Sequence, residues 1–407
     1  MSLNPRLIKE SFSAIEPVMG RAVAYFYGRL FAESPQLRCM FPPAMDLQRD
    51  RLFAALTRIV WSLDSPDSLG SYLGQLGRDH RKYGVLAEHH TAVGNALMAT
   101  IRRFCGDAWT TEVEAAWVAA YTTAANIMIE AAEADAGVSP AWWLAEVVDH
   151  ELRTPDIAVI TLRPGTPMTF VPGQYVDVQV ARWPRVWRSY SIANAPRPDN
   201  TIRLHVRAVR GGWVSTALVS HTRIGDTVLL GPPVGTMTPP RQDPPRDILC
   251  VAGGTGLAPV KAIVEHVIAS GLRPNIHLLY GARTAAELYD LQDLIRMEAG
   301  YPWLRILPVV SGDPAYDGIR GPLPDVVRRF HSWADHEVYV CGPPAMVEET
   351  VRRLQHDGVP PARVHRDPGP AEGRAPSLRQ PDTAGGYGRT DRPNPAEPGE
   401  HPHNVAR

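Results

Sequence analysis

The chain has 407 residues, 44% of them hydrophobic, with a net charge of −1 and four cysteines. That length suggests two to three domains with full cores, and the balanced charge speaks against nucleic acid or an anionic membrane as a bulk partner. Cys39, Cys105, Cys250 and Cys341 lie far apart with no CxxC pair, which argues against a zinc site or a disulfide framework and fits a reducing cytoplasm.

Residues 1–136 read as helices. Apolar positions recur at helical spacing in Ile15, Val18, Ala22, Phe26 and Leu30, in Leu52, Leu56, Ile59 and Leu63, and in Val113, Trp117, Ala120, Ala124 and Ile127. Asp46 is placed to cap a helix starting near Leu47. Residues 1–10 carry no apolar core or cleavage site, so no signal peptide is expected. The longest uncharged stretch, 115–129, is shorter than the roughly 20 residues a membrane helix needs, so a buried helix is expected there and no membrane insertion.

One histidine in this helical part stands out. His80 ends an amphipathic stretch and is followed by Tyr83 at +3 and Gly94 at +14. Upstream, Phe26-Tyr27 sits on one helix, Phe41 follows a Pro-bearing corner, and Gln48 and Leu52 lie one helical turn apart on another. An axial imidazole on one side, with Tyr, Gln and Leu on the other, is what a haem oxygen site requires. Spacing alone does not separate this from a cofactor-free helical bundle.

The pattern changes after Gly137-Val138-Ser139-Pro140, so 137–142 reads as a linker. Over 143–241 short strands dominate. Val176, Val178 and Val180 alternate with polar residues, as do Ile202, Leu204, Val206 and Ala208, which predicts a small antiparallel β-barrel or sandwich. Arg188-Ser189-Tyr190-Ser191 falls within it. Arg188 offers a planar fork to phosphate oxygens, Tyr190 an aromatic face and Ser191 a hydroxyl for a flavin ring. On a strand, positions 188 and 190 share one face. By itself the tetrapeptide reads more simply as an exposed strand. Gly212-Trp213-Val214-Ser215 opens a helix expected over 215–220. Backbone amides there suit phosphate, and Gly212 permits close approach. The two motifs together, separated by one strand, are far more specific than either.

After a second linker at 242–246, residues 247–367 alternate strand and helix, which implies a parallel sheet covered on both faces. Gly253-Gly254-Thr255-Gly256 lies between a buried strand and a helix expected over 260–269, where such sheets bind nucleotides. Pro259 suits a first helical turn. Cys341-Gly342-Pro343 follows another buried strand, where a thiol could meet a nicotinamide ring or simply be a buried cysteine before a turn. A further helix is expected over 288–297. Residues 368–407 are rich in Pro, Gly and Arg and poor in apolar residues, a composition that predicts a disordered tail.

Residues 142–367 resemble the ferredoxin-NADP reductase-like superfamily, with the RxYS, GxVS, GGTG and CGP runs in that family's order. Residues 1–136 look like the globin domain of the flavohaemoglobins, in which a globin is joined to this reductase type. The resemblance implies a multidomain chain: an all-α globin domain, an antiparallel β-barrel FAD domain and an α/β parallel-sheet nucleotide-binding domain. It implies haem b, FAD and NAD(P)H as cofactors, and dioxygen and nitric oxide as small-molecule partners of a cytoplasmic, monomeric nitric oxide dioxygenase. It implies His80 as the iron ligand, Tyr27, Gln48 and Leu52 as the distal group, and Phe41 against the haem. Tyr175, Arg188, Ser189, Tyr190, Ser191, Gly212, Val214 and Ser215 would hold FAD. Gly253, Gly254, Thr255, Gly256, Pro259, Cys341, Gly342 and Pro343 would meet the nicotinamide cofactor.

The chain departs from the family's pattern at several positions. The family's Tyr ten residues beyond the proximal histidine is His90 here, and its Glu in the last globin helix aligns with Ala132. Together those groups raise the donor strength of the proximal imidazole, so His90 is a candidate for tuning this site, as in a subgroup of flavohaemoglobins with an altered proximal side. The run 364–369 lacks the aromatic residue with which the family often covers its flavin. The family favours NADH, whereas Arg283 could meet a 2′-phosphate. A reductase or oxidase with another donor or acceptor, and a gas-responsive redox sensor, are the competing functions.

Overall fold

The computed structural model describes residues 4–239, 245–330 and 332–366. Its first part is helical: α1 (Pro5–Ile15), α2 (Met19–Glu33), α3 (Asp46–Trp61), α4 (Pro66–Arg81), α5 (His89–Cys105) and α6 (Thr111–Ala136). The helix starts follow local chemistry. The Asn4 side chain accepts from Leu7 N at 3.4 Å and Pro5 holds the first helical position, where its missing N–H costs little. Thr110 caps α6 by accepting from Val113 N at 3.3 Å. Asp46 does not cap α3. It is the first helical residue, preceded by Met45, and its side chain makes no cap bond; its carboxylate still sits favourably at the positive end of the helix dipole.

The apolar faces of these helices meet in one core around Ile8, Phe12, Phe26, Leu30, Ile101 and Trp117. Fully burying each such side chain contributes roughly 1.5–3 kcal/mol. Helix α6 is less buried than its composition suggests, with only Val113, Ala116, Trp117 and Ala125 fully inside. No described helix is long and apolar enough to cross a membrane.

The second part is a six-stranded antiparallel sheet of β1 (Trp143–Thr154), β2 (Ile157–Pro164), β3 (Tyr175–Val180), β4 (Arg188–Ser191), β5 (Ile202–Arg207) and β6 (Thr227–Leu230), in the order β4-β3-β6-β1-β2-β5. A bridge between Ile192 and Leu204 joins the two ends of that order, so the sheet curls nearly shut into a barrel. Closure explains why β2 is buried almost throughout: one face fills the barrel and the other packs on the next domain. The helix expected over 215–220 is instead a single turn, α7 (Trp213–Thr216), followed by a wider turn over Ala217–His221.

The third part is a parallel sheet with helices between its strands: β7 (Ile248–Gly253), α8 (Leu257–Ser270), β8 (Ile276–Ala282), α9 (Leu291–Gly300), β9 (Leu304–Val310), β10 (Ile319–Arg320), α10 (Leu323–Val326), β11 (Glu337–Cys341), α11 (Pro344–His356) and β12 (Val364–Arg366). The strand order is β10-β9-β8-β7-β11-β12. Strands β7 and β11 are buried along their whole length, as strands covered on both faces must be. Helix α9 begins three residues later than expected, because Leu288 and Tyr289 are spent in the loop as core residues. Polar contacts join this domain to the barrel: Arg153 donates to Asp293 at 3.0 Å, and His205 Nδ1 lies 2.8 Å from the Tyr289 hydroxyl.

The run at 364–366 ends the sheet as β12, and the His365 ring stacks on Tyr339 at 4.7 Å. Residues 242–244 of the expected second linker, residue 367 and the tail at 368–407 lie outside the described residues.

Candidate functional site

Helix α4 reaches the core because Gly77 carries no side chain. A Cβ there would lie 2.2 Å from the Met128 carbonyl oxygen of α6. That close crossing sets His80, in the last turn of α4, against a cavity of about 370 Å³. The imidazole Nδ1 sits 2.6 Å from the Leu76 carbonyl oxygen. A carbonyl can only accept, so Nδ1 carries the proton and Nε2 keeps its lone pair. Burial pushes the His80 pKa below its ordinary value, against a smaller upward pull from the Leu76 carbonyl. His80 is therefore a neutral imidazole with a lone pair to donate. Among the described residues there is no cluster of three or more His, Cys, Asp or Glu able to hold a metal.

Tyr27, Phe41, Gln48 and Leu52 line the same cavity. The Tyr27 hydroxyl is 3.4 Å from the Gln48 carbonyl oxygen. Burial pushes the Tyr27 pKa up to about 12, with the Gln48 side chain and Arg49 pulling it down by less, so its hydroxyl stays a donor at neutral pH. Phe41 meets the Tyr27 ring edge-on at 5.6 Å and Phe31 at 5.2 Å.

His90 also lines the cavity, with a pKa lowered by burial first and then by the neighbouring His80 and His89. Its carbonyl accepts from the Tyr121 hydroxyl at 2.5 Å. Ala132 does not line the cavity, and Glu130 and Glu133 are exposed. Sequence reasoning missed Tyr121. It sits one α6 turn after Trp117, and its polar end becomes meaningful only once α5 and α6 are packed.

The cavity does not stop at the globin helices. Asp177, Trp187, Arg188 and Ser189 of the barrel complete its wall. Strands β3 and β4 pair so that Tyr175 faces Ser191, Val176 faces Tyr190, Asp177 faces Ser189 and Val178 faces Arg188. Burial lowers the Arg188 pKa, and Arg51 of α3 lowers it further. Burial pushes the Tyr190 hydroxyl up, partly offset by Arg188. Gly212 precedes α7, Val214 and Ser215 are buried behind it, and Ser215 Oγ accepts from Val209 N at 3.3 Å. Trp213 stacks on Trp183 at 4.9 Å. The run 188–191 and the run 212–215 are thus carried on the same small barrel.

The other two motifs meet at the carboxyl end of the parallel sheet. Strand β7 runs out at Gly253, and Gly254 adopts φ 57°, with open space where a Cβ would point. Gly256 packs so closely on β11 that a Cβ would lie 2.5 Å from the Cys341 carbonyl oxygen. The Gly253–Gly256 turn, with Thr255 inside it, therefore sits beside Cys341, Gly342 and Pro343. Pro259 is buried in the first turn of α8. At the end of neighbouring β8, Arg283 is already engaged: its guanidinium donates to Glu287 at 2.7 Å and its backbone N–H donates to the same carboxylate at 3.1 Å. The ion pair holds the Glu287 carboxyl below the usual range.

Three family models match in the order of these parts: globin over 24–128, oxidoreductase FAD-binding domain over 145–238, and oxidoreductase NAD-binding domain over 250–352. A flavohemoprotein of Deinococcus radiodurans is 28% identical over 91% of this chain and 98% of its own. The chain belongs to the flavohaemoglobin family. Within this flavohaemoglobin the reductase part has its own likeness. The ferredoxin–NAD(P)(+) reductase component of the naphthalene 1,2-dioxygenase system of Pseudomonas putida is 37% identical over 60% of this chain and 74% of that protein. The flavohemoglobin of Malassezia yamatoensis, solved with FAD and haem, shares the fold at a TM-score of 0.70, 19% identity, and coverage of 90% of this chain and 99% of that one.

The cofactors of this family are haem, FAD and NAD(P)H, and the residues present fit them. The globin cavity is apolar around a neutral His80, and toward the barrel it is bordered by Arg51, whose buried Nε has no partner, and by Arg188. Arg51 and Arg188, among the cations lining this mainly apolar chamber, suit the anionic arms of a flat apolar group. The open space at Gly254 suits a dinucleotide. The chain is an oxidoreductase that carries electrons from NAD(P)H through flavin to haem.

Proposed function

We propose that this flavohaemoglobin is a nitric oxide dioxygenase, driven by NADH. The observation that carries the reading is the single cavity lined by Tyr27 and Gln48, by His80 and by the flavin-motif residues Arg188 and Ser189. When bound, nicotinamide, flavin and haem would together supply hydride transfer, its division into single electrons and the oxidation of nitric oxide to nitrate by dioxygen.

The chain's own residues do the rest. His80 donates its Nε2 lone pair, held in orientation by the Leu76 carbonyl. Tyr27 and Gln48 offer a hydroxyl and an amide to charge that develops on an oxygen ligand. Leu52 and Phe41 keep water from it. His90, close to His80 and neutral, tunes the proximal side. Arg188 and Tyr190 hold and orient the flavin with Tyr175, Ser189 and Ser191, and the turn at Gly212, Val214 and Ser215 accommodates its phosphates. Gly253, Gly254, Thr255, Gly256 and Pro259 seat the pyrophosphate, and Cys341, Gly342 and Pro343 flank the nicotinamide. The engagement of Arg283 by Glu287 favours NADH, because a carboxylate there suits a ribose hydroxyl and repels a 2′-phosphate.

Nitrate formed per NADH consumed, measured with nitric oxide and oxygen both present, tests the reading. Two nitrates per NADH are expected, since each nitrate requires one electron. NADH consumption without nitrate, in protein loaded with both cofactors, would sink it. A second reading has one specific support, the 37% identity of the reductase part to a component that serves an external acceptor. In that case an added one-electron acceptor would drain the flavin faster than the haem does.

A further inference from the structure

Each of the three residues that follow His80 leaves the globin helices to make a contact. Arg81 pairs with Asp135 at the end of α6 and reaches past it to donate to the Ser139 carbonyl at 2.6 Å, on the connection into the barrel. Lys82 Nζ lies 2.6 Å from Asp177 Oδ2 of β3, and both side chains are only 7% exposed. Tyr83 packs edge-on against Trp187 at 6.5 Å. From the barrel side, Arg185, held at φ 64°, donates to the Cys39 carbonyl at 3.3 Å. Asp177 carries the contact onward, because its Oδ1 accepts from Ser189 Oγ at 2.7 Å. Ser189 is the middle of the flavin motif. Two hydrogen-bonded steps therefore connect the turn of the iron-ligand helix to the flavin strand.

A buried ion pair is a weak source of stability, because desolvating both charges offsets their attraction; its best-attested use is to fix register. Here an apolar interface could slide, whereas a carboxylate that must meet Lys82 on one oxygen and Ser189 on the other has one position. We propose that Lys82 and Asp177 are positioning residues that pin the haem and flavin domains in the register required for electron transfer between their cofactors. Neither touches the nicotinamide site. The electrons balance simply. Hydride and a solvent proton convert NADH and oxidised flavin to NAD⁺ and fully reduced flavin, and each ferric iron takes one of the two stored electrons. The pin governs only that second event.

The inference rests on flavin-to-haem transfer and not on nitric oxide as substrate, so its test contains neither nitric oxide nor oxygen. Full-length protein is mixed anaerobically with NADH under carbon monoxide in a stopped-flow spectrometer. Flavin bleaching and the Soret shift are followed separately for wild type, Lys82→Met, Asp177→Asn and the exchanged pair Lys82→Asp with Asp177→Lys. Hydrogen exchange over 80–85 and 175–191 is measured in parallel on resting protein.

In Lys82→Met, flavin bleaching should keep the wild-type rate. The Soret shift should slow on the order of tenfold or more, as small misplacements of reacting partners do, and both segments should lose protection. The exchanged pair should recover rate and protection. A wild-type Soret shift in Lys82→Met overturns the proposal. If the single variants lose a cofactor, the exchanged pair decides. Recovery of cofactors together with fast transfer supports the pin, whereas an exchanged pair that transfers slowly, or that also fails to hold cofactors, assigns these residues to folding alone and overturns it.

Discussion

His80 and Leu76 are joined by a 2.6 Å hydrogen bond in which the imidazole Nδ1–H donates to the carbonyl one turn earlier on the same helix. The bond spends one ring nitrogen on orientation and leaves the other as a donor aimed at the cavity. His80→Ala should therefore abolish haem retention while FAD stays bound, since the barrel's own contacts are untouched. Metal and flavin content of purified protein check this. Loss of flavin with haem retained would show the ligand is misassigned.

Tyr27 makes a second test. Tyr27→Phe removes one hydrogen bond worth roughly 0.5–1.5 kcal/mol, so oxygen should leave about 2- to 13-fold faster in a photolysis or trapping experiment. The pH dependence follows from the same burial. Tyr27 is held up to about 12, against an ordinary 10.0, and Cys105 up to about 11, against 9.0. Well below pH 9 both groups stay protonated in both states, and their neutral forms impose no penalty. From pH 9 to 12 the unfolded chain loses these protons before the folded one does, so stability falls as pH rises. The globin part should become alkali-labile in that window, measured by thermal unfolding, and Tyr27→Phe should remove part of the slope above pH 10.

Arg188→Ala should strip FAD from otherwise folded protein. Arg188 lies in β4 beside Tyr190, away from the buried core of the barrel, so the strand keeps its pairing to β3. The ratio of flavin to haem absorbance reads the effect directly, and circular dichroism checks that the fold persists. Flavin retained at wild-type occupancy would remove Arg188 from the site.

Glu287→Gln should free Arg283 for a phosphate. The present pair occupies the guanidinium with a charged partner, and an amide holds it far less firmly. The variant should lower the KM for NADPH and raise that for NADH, measured by flavin reduction with each. An unchanged preference would place the ribose elsewhere.

Much of this arrangement could be read in the chain, and the parts that could not share a cause. Arg188-Ser189-Tyr190-Ser191, the Gly253–Gly256 turn and Cys341-Gly342-Pro343 are local signals, each a strand end or turn with its own chemistry. The structure puts the last two side by side because β7 and β11 are neighbours. The interval from His80 to Tyr27 and Gln48 was legible only through resemblance, since helical periodicity reports which face is buried and not what the face encloses. Lys82 and Asp177 were invisible: they lie 95 residues apart, and nothing local marks either. The alternation of Val176, Val178 and Val180 with polar residues would put Asp177 on the exposed face, whereas the structure buries it. Asp46 was misread because an acidic residue before a helix and one in its first turn look alike in sequence, and only backbone geometry separates them. The engagement of Arg283 depends on Glu287 folding back four residues later, which the sequence permits without requiring.

An absorbance spectrum of the purified chain, taken without oxygen before and after NADH and then with carbon monoxide, tests the electron path most directly. Flavin absorbance should bleach first, and the Soret band should then move to the position of ferrous haem bound to carbon monoxide. A flavin that bleaches while the Soret band stays ferric, or a preparation that never holds haem, would contradict the account.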